Sequence, residues 1–348
     1  MFLAASAVLL FLPHLCDSIL GGHLQRSRNR VETSNYRMVV SGGIVSDAEP
    51  MSVDVRSTSL GIDLVLRGEV EKKPRSLVVE VSNLPRDLVV EHRGPGVVTK
   101  GGDSVIAVVS LKRRPVEFRL HAHPRNEGPN FTFWVGGDSR GRPDLLLELF
   151  KLAMERRPRF VVLEGDLVGN GLWWQYDELM EMLDNFPVPV VAVPGNHDLE
   201  LCGRRYFTRY LAPDHYAFSY GDSLFVVLDT NREERGQLDW LNRVLGEHSY
   251  RHRFVFVHKP PFDPRPGHNH CMKNRAFANG LLQAVARHHV DVLFCSHIHT
   301  FIQTSYRGVR IVVTGGLGAH RKEPLCPFHY VKVEVKGERV SLKMVPLK

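Results

Sequence analysis

Between residues 36 and 124 the chain sets short apolar runs among polar positions, at 37–40 with Ile44, 76–81, 87–90, 104–110 and 116–120. Turn-forming stretches separate them, as in Asn83-Leu84-Pro85-Arg86-Asp87 and His92-Arg93-Gly94-Pro95-Gly96. Short β-rich runs broken by such turns predict a small all-β, sandwich-like accessory domain over 36–124. His121 and His123 fall on one face of a strand there and read as surface residues.

Residues 121–130 are polar and turn-rich and read as a linker. Beyond them the period changes. Apolar runs at 131–138, 159–166, 188–198, 223–230, 253–260 and 290–299 have the look of buried strands. Helical spacing intervenes at 143–157, which opens on Pro143, and at about 173–185. Alternating strands and helices predict an α/β domain over 131–348 with a largely parallel sheet. The last strands, around 309–313, 329–335 and 339–345, read as antiparallel.

Composition narrows the class. The chain has 348 residues, 43% hydrophobic and 24% charged, which excludes collagen, coiled coil and disorder and fits a soluble protein of two domains. The net charge is +7. Lys and Arg exceed Asp and Glu by 17 to 14 over residues 1–130 and by 28 to 24 over 131–348, so the excess is spread and argues against a nucleic-acid partner.

The apolar stretch at 2–12 is too short for a membrane span and suits a signal-like or anchor segment within 1–22. No Lys or Arg precedes it, while Arg26, Arg28 and Arg30 follow. The expectation is an exported or membrane-anchored protein, with membrane contact only through this segment; the alternative is the tail of a cytoplasmic protein. Of the five cysteines, Cys16, Cys202, Cys271, Cys295 and Cys326, none forms a Cys-x-x-Cys pair, so a cysteine zinc site is not expected. Cys202 and Cys271 are the candidate disulfide, and Cys295 reads as a buried free thiol.

Thirteen of the 18 histidines lie from His197 onward, and imidazole is both a common metal ligand and a common general acid. The apolar runs end on chemistry: Gly137-Asp138, Gly165-Asp166, Gly195-Asn196-His197-Asp198, His258, and His297-Ile298-His299. In open α/β sheets ligands bind beyond the carboxyl ends of strands, so these groups are expected on one rim. Taken singly each is weak, since a lone Gly-Asp is ordinarily a turn. Together, mixed Asp, Asn and His donors suit one or two divalent ions such as Mn, Fe or Zn, with a shared carboxylate able to bridge two.

In order and spacing these motifs resemble the calcineurin-like metallophosphoesterase superfamily over about 131–348. The resemblance implies layered β-sheets flanked by helices and hydrolysis of a phosphate ester by a metal-activated hydroxide. It also implies that Asp166 bridges two metals, that Asp138 and His299 serve the first, and that Asn196, His258 and His297 serve the second with Asp166. His197 would protonate the leaving oxygen or hold a phosphate oxygen, with Asp198 orienting it. Ser296 replaces the usual glycine. Arg140 stands where the family has a ligand histidine, and a guanidinium offers a metal no lone pair. Three readings follow: Arg140 grips a substrate phosphate, which its planar fork suits; His268, His270 or water fills the gap; or the first site is weak and one metal remains. Gly169 occupies the position of a tyrosine in the purple acid phosphatase branch, so the chain is not assigned there.

Residues 258–270 read as a loop over the site. Trp173 and Trp174 line a pocket or pack at a helix start, and the glycine-rich 314–320 segment reads as backbone geometry. The expected function is a metal-dependent phosphoesterase, mono- or diester open. The alternatives are a scaffold that has lost catalysis on the same fold, and a nuclease. The sequence carries no signal for oligomeric state.

Overall fold

The computed structural model describes residues 26–348 apart from 28, 71–72, 126–127, 141, 187, 248–249 and 321–325, so the signal-like segment lies outside the described residues. Eleven strands come first: β1 (Arg26–Ser27), β2 (Arg30–Glu32), β3 (Tyr36–Ser41), β4 (Gly43–Glu49), β5 (Ser52–Ser57), β6 (Ile62–Gly68), β7 (Arg75–Ser82), β8 (Leu88–Arg93), β9 (Gly96–Lys100), β10 (Val105–Leu111) and β11 (Val116–Pro124). They form two sheets, ordered β1-β2-β3-β6-β11-β8 and β4-β5-β7-β10-β9. Pairing is antiparallel except between β5 and β7. Period-two alternation sends Met38, Val40, Leu64, Leu66, Phe118 and Leu120 of one sheet and Val53, Val79, Val81, Ala107 and Val109 of the other into one core.

Two expectations are corrected here. Strand pairing begins upstream of residue 36, at β1 and β2. Residues 121–124 continue β11 instead of forming a linker, because Ala122 keeps the inward phase set by Phe118 and Leu120.

The remainder contains β12 (Asn130–Gly136), α1 (Pro143–Arg156), β13 (Val161–Leu163), α2 (Trp173–Asp184), β14 (Val190–Ala192), α3 (Gly203–Tyr210), β15 (Tyr216–Tyr220), β16 (Ser223–Leu228), α4 (Arg235–Gly246), β17 (His252–Val257), α5 (Arg275–Arg287), β18 (Val292–Cys295), β19 (Phe301–Tyr306), β20 (Val309–Thr314), β21 (His329–Lys336) and β22 (Arg339–Pro346). The strands make two sheets, in keeping with the layered β-sheets that the resemblance implies: β14-β13-β12-β21-β22 and β15-β16-β17-β18-β20-β19. β20 runs parallel to β18, so of the three late strands expected to be antiparallel only β21 and β22 are paired solely that way.

Doubly buried strands sort their side chains by face. Phe225 and Val227, Phe254 and Phe256, and Val292 and Phe294 point between the sheets toward Phe133 and Phe160. Their neighbours Leu224, Val226, Val255, Val257 and Leu293 point the other way, onto α4 and α5. Helices α1 and α2 cover the first sheet through Leu145, Leu149, Tyr176 and Leu179. The result is four layers, helix, sheet, sheet, helix, in which the parallel strands β12, β13 and β14 of one sheet and β16, β17, β18 and β20 of the other each deliver their carboxyl ends to a common edge.

The two halves are joined by polar side chains. Asn83 bonds both the N–H and the carbonyl of Val190, Arg209 pairs with Asp47 at 3.0 Å, and Arg159 pairs with Asp87 at 2.8 Å. Cys271 is a free thiol, so the expected Cys202–Cys271 pairing is not formed. Cys295 is free and buried on β18. Among the described residues no helix is long and apolar enough to cross a membrane.

Candidate metal centre

Short strands stop where the chain must turn sharply. Asp138, Asp166, His297 and His299 follow β12, β13 and β18, and all adopt positive φ, of 61°, 52°, 69° and 26°. They are four of nine such non-glycine residues among those described, so backbone strain gathers at this edge, as it does at functional sites. Gly165, at φ 81°, must be glycine for a second reason: a Cβ there would lie 2.6 Å from His258 Nδ1. Gly315 serves similarly, since a Cβ would lie 2.5 Å from Asp138 Oδ2, which gives the 314–320 segment the backbone role expected of it.

The predicted side chains converge. Asp166, His258 and His297 bring one donor atom each within 4.8 Å of one another. His258 Nε2 stands 3.3 Å from Asp166 Oδ1 and 3.2 Å from His297 Nδ1. His299 Nε2 stands 3.3 Å from Asp138 Oδ1. The two clusters are linked because the His297 N–H donates to Asp138 Oδ2 at 2.8 Å. His197 lies at the mouth, Nε2 3.9 Å from Asp166 Oδ2.

These donors fit a divalent cation. His258 Nδ1–H donates to the Glu164 carbonyl at 2.9 Å, and His299 Nδ1–H to the His320 carbonyl at 2.7 Å. Each bond fixes the tautomer and turns Nε2 inward, the arrangement second-shell carbonyls impose on ligating imidazoles. Asn196 Oδ1 and Asp138 Oδ1 are buried without a hydrogen-bond partner. Buried acceptors left unpaired are costly, and a cation would satisfy both.

Charge coupling runs the same way. Burial would raise Asp166, but the charge and hydrogen bond of His258, with the N–H and charge of His197, hold its carboxyl below the usual range. Burial would lower His258, but Asp166, Asp138 and the Glu164 carbonyl push it up to about 9; a cation held here would have to displace that proton. Burial and the neighbouring His258 and His270 charges keep His297 neutral, down at about 2. Glu164, which the sequence reading did not single out, is fully buried with both carboxyl oxygens unpaired, and burial and then Asp138 push it well up.

Arg140 enters the site: its Nε sits 3.6 Å from Asp166 Oδ2 and lacks a hydrogen bond. His270 stacks on His297 with centroids 4.0 Å apart, which sets it beside the His258 cluster. One expected role changes. The Asp198 carboxylate does not orient His197. It is fully buried and accepts the backbone N–H groups of Leu167 (2.7 Å), Val168 (3.0 Å) and Gly195 (2.9 Å). Burial and the Asp166 charge push it up to about 7. His197 is oriented instead by the Gly169 carbonyl, 2.8 Å from Nδ1, and by Glu200 at 3.4 Å. Trp173 and Trp174 are exposed at the start of α2. Thr230, just past β16, was missed; its Oγ1 accepts the Lys259 N–H at 3.0 Å and so fixes the turn after His258.

Residues 131–301 match the family described as calcineurin-like phosphoesterase. The chain is 30% identical over 189 residues to the glycerophosphodiester phosphodiesterase GpdQ of Enterobacter lignolyticus (strain SCF1), covering 49% of this chain and 66% of that enzyme. It is 28% identical over 221 residues to the serine/threonine-protein phosphatase CPPED1 of Bos taurus, covering 53% and 70%. To the 3',5'-cyclic adenosine monophosphate phosphodiesterase CpdA of Escherichia coli (strain K12) it is 26% identical over 164 residues, covering 44% and 59%. In fold it is similar to the purple acid phosphatase PPD1 of yellow lupin, with a TM-score of 0.56 at 13% identity over 88% of this chain and 72% of that one. It is also similar in fold to a dimetal phosphatase of Danio rerio, with a TM-score of 0.51 at 18% identity over 62% and 95%.

Proposed function

Residues 131–301 belong to the calcineurin-like phosphoesterase family, and from that premise we propose that the protein is a divalent-metal-dependent hydrolase of phosphate esters, diesters foremost. The observation that carries the reading is the Asp166, His258 and His297 cluster, beside two buried acceptors, Asn196 Oδ1 and Asp138 Oδ1, that have no hydrogen-bond partner. The preference for diesters is supported by the activities named for two relatives, a glycerophosphodiester phosphodiesterase and a cyclic nucleotide phosphodiesterase.

Asp166, Asn196, His258 and His297 would hold one ion. Asp138 and His299, with Asp166, would hold a second more weakly, because Arg140 replaces a ligand. Bound there, a divalent ion supplies Lewis acidity to the phosphoryl oxygens and lowers the pKa of water. The chain's own groups do the rest. Arg140 grips a non-bridging phosphate oxygen, offering a planar fork instead of a lone pair. His197, held by Gly169 and Glu200, presents Nε2 to the leaving oxygen and delivers a proton to it. Asp198 positions the loops that carry Asp166 and His197 and touches no substrate.

The test is hydrolysis of an aryl phosphomonoester and its diester by the full chain with Mn²⁺, alongside Asp166→Asn. Turnover that disappears in the variant, with the diester faster, is the expected result. Equal turnover in the variant would sink the reading, and no turnover in either protein would leave a scaffold on the same fold. Export is the favoured location, supported by the signal-like apolar stretch at 2–12. Recovery of the protein wholly in the reduced cytoplasmic fraction would overturn it.

A further inference from the structure

On the His297 side the centre opens into a cavity of about 480 Å³. Asn196 and His297 form its floor, and Lys259, Lys273, Arg275 and His270 stand in its walls. No carboxylate is among the described residues lining it. Three permanent cations therefore surround a space that adjoins the place where the phosphate ester would react.

The walls are built rather than loose. Asp263 receives Arg265 at 2.9 and 3.0 Å and the His270 N–H at 2.8 Å, closing the 258–270 loop on itself. The Met272 N–H donates to the Pro260 carbonyl at 2.9 Å. Arg275 is committed to the wall, its Nη2–H on Asn269 Oδ1 at 2.6 Å and its Nη1–H on Cys271 Sγ at 3.4 Å. The two lysines are held only by their backbones, Lys259 through Thr230 and Lys273 through Glu233 at 3.2 Å. Among the described residues no hydrogen bond or ion pair engages either ammonium. A cleft lined by charges of one sign concentrates anions.

We propose that this cavity is a subsite for a second phosphate, carried on the organic side of the ester and held by Lys259 and Lys273. The proposal rests on the phosphoesterase reading and adds the substrate class: phosphate esters bearing another phosphate a short linker away. Two ammonium groups match the charge and the three terminal oxygens of a phosphate dianion, where a carboxylate would leave one of them unpaired.

A matched pair of esters tests this with the full chain: propyl p-nitrophenyl phosphate and its 3-phosphopropyl counterpart, which differ only in the terminal phosphate. The expected kcat/KM ratio favours the second by about tenfold or more, and Lys259→Met and Lys273→Met each draw the ratio back toward one. A ratio near one in the native protein, or one that both variants leave intact, overturns the subsite. Because Lys273 is exposed, a thermal melt matching the native protein's is expected to accompany its loss. If neither ester is turned over with Mn²⁺, Fe²⁺ or Zn²⁺, the phosphoesterase reading is what has failed. The subsite is then judged by calorimetry on chelated protein. 1,3-Propanediol bisphosphate should bind more tightly than propyl phosphate, weaken with salt and lose its advantage in Lys273→Met. Equal affinities overturn the proposal.

Discussion

The Asp198 carboxylate accepts the backbone N–H of Leu167 at 2.7 Å, across 31 residues of sequence. With its bonds to Val168 and Gly195 it clamps the loop after β13 to the loop after β14. The His197 N–H completes the clamp by donating to Asp166 Oδ1 at 2.9 Å. Asp198→Ala would strand three buried donors and should cost about 3 kcal/mol or more of stability. Asp198→Asn, which keeps one carbonyl oxygen, should fall between. His197→Gln should lower kcat with little change in melting temperature. Thermal melts alongside kcat separate the clamp from the proton donor; a His197 variant that unfolds and an Asp198 variant that does not would reverse the assignment.

Arg140 contacts the carboxylate proposed to bridge two ions, at 3.6 Å. Arg140→His exchanges a permanent cation for a group with a lone pair. Metal content per chain after dialysis should rise, and KM for a phosphate ester should rise by about tenfold as the phosphate grip is lost. Elemental analysis with a substrate titration reads both, and no change in either would remove Arg140 from the site's chemistry.

Asn83 pairs its side-chain amide with both backbone groups of Val190, at 2.9 and 2.8 Å. Val190 lies on β14, the edge strand of its sheet, so a side chain of the accessory domain takes the place of a missing neighbour strand. Asn83→Ala leaves that edge unpaired and should cost about 1–3 kcal/mol. Chemical denaturation should register the loss, while turnover of small esters stays near the native value.

His329 offers a pH dependence set apart from the proposed ligands. It is fully buried, with Nδ1–H on the Pro327 carbonyl at 2.9 Å and Nε2 unpaired. Burial lowers its affinity for a proton, against the Pro327 bond. The unfolded chain therefore takes up the proton first. Stability from this residue is present above its ordinary value of 6.5 and is lost as pH falls below it toward the folded value. Denaturation midpoints of chelated protein should fall between about pH 7 and 5, and fall less steeply in His329→Gln. Parallel slopes would remove His329 as a source.

Much of the site was legible because ligand chemistry and strand period are local properties. A buried run that ends in Gly-Asp or His-x-His announces both a strand end and a donor, so Asp138, Asp166, Asn196, His258, His297 and His299 could be named without a structure. What misled was adjacency. Asp198 follows His197 directly and invites pairing with it, yet a carboxylate at full burial satisfies the nearest unpaired N–H groups, and those belong to a loop 30 residues away. Strand period also could not count sheets: runs buried on both faces look alike whether they join one sheet or two. Cys202 and Cys271 both follow ligand motifs, but closeness in motif order is no measure of distance between sulfurs.

The sequence by itself determined which donors the chain owns, their order, and the carboxyl-terminal strand positions that carry them, because side-chain chemistry and backbone period act over a few residues. Only the tertiary structure decided what each donor faces. Two sheets packed through Phe133, Phe225 and Phe254 bring loops more than a hundred residues apart into contact. That packing clamps Asp198 to Leu167, lays Asn83 along β14, and sets Lys259 and Lys273 around a space whose described lining residues include no carboxylate. Those relations depend on the summed burial of a whole core, which no single stretch of sequence contains.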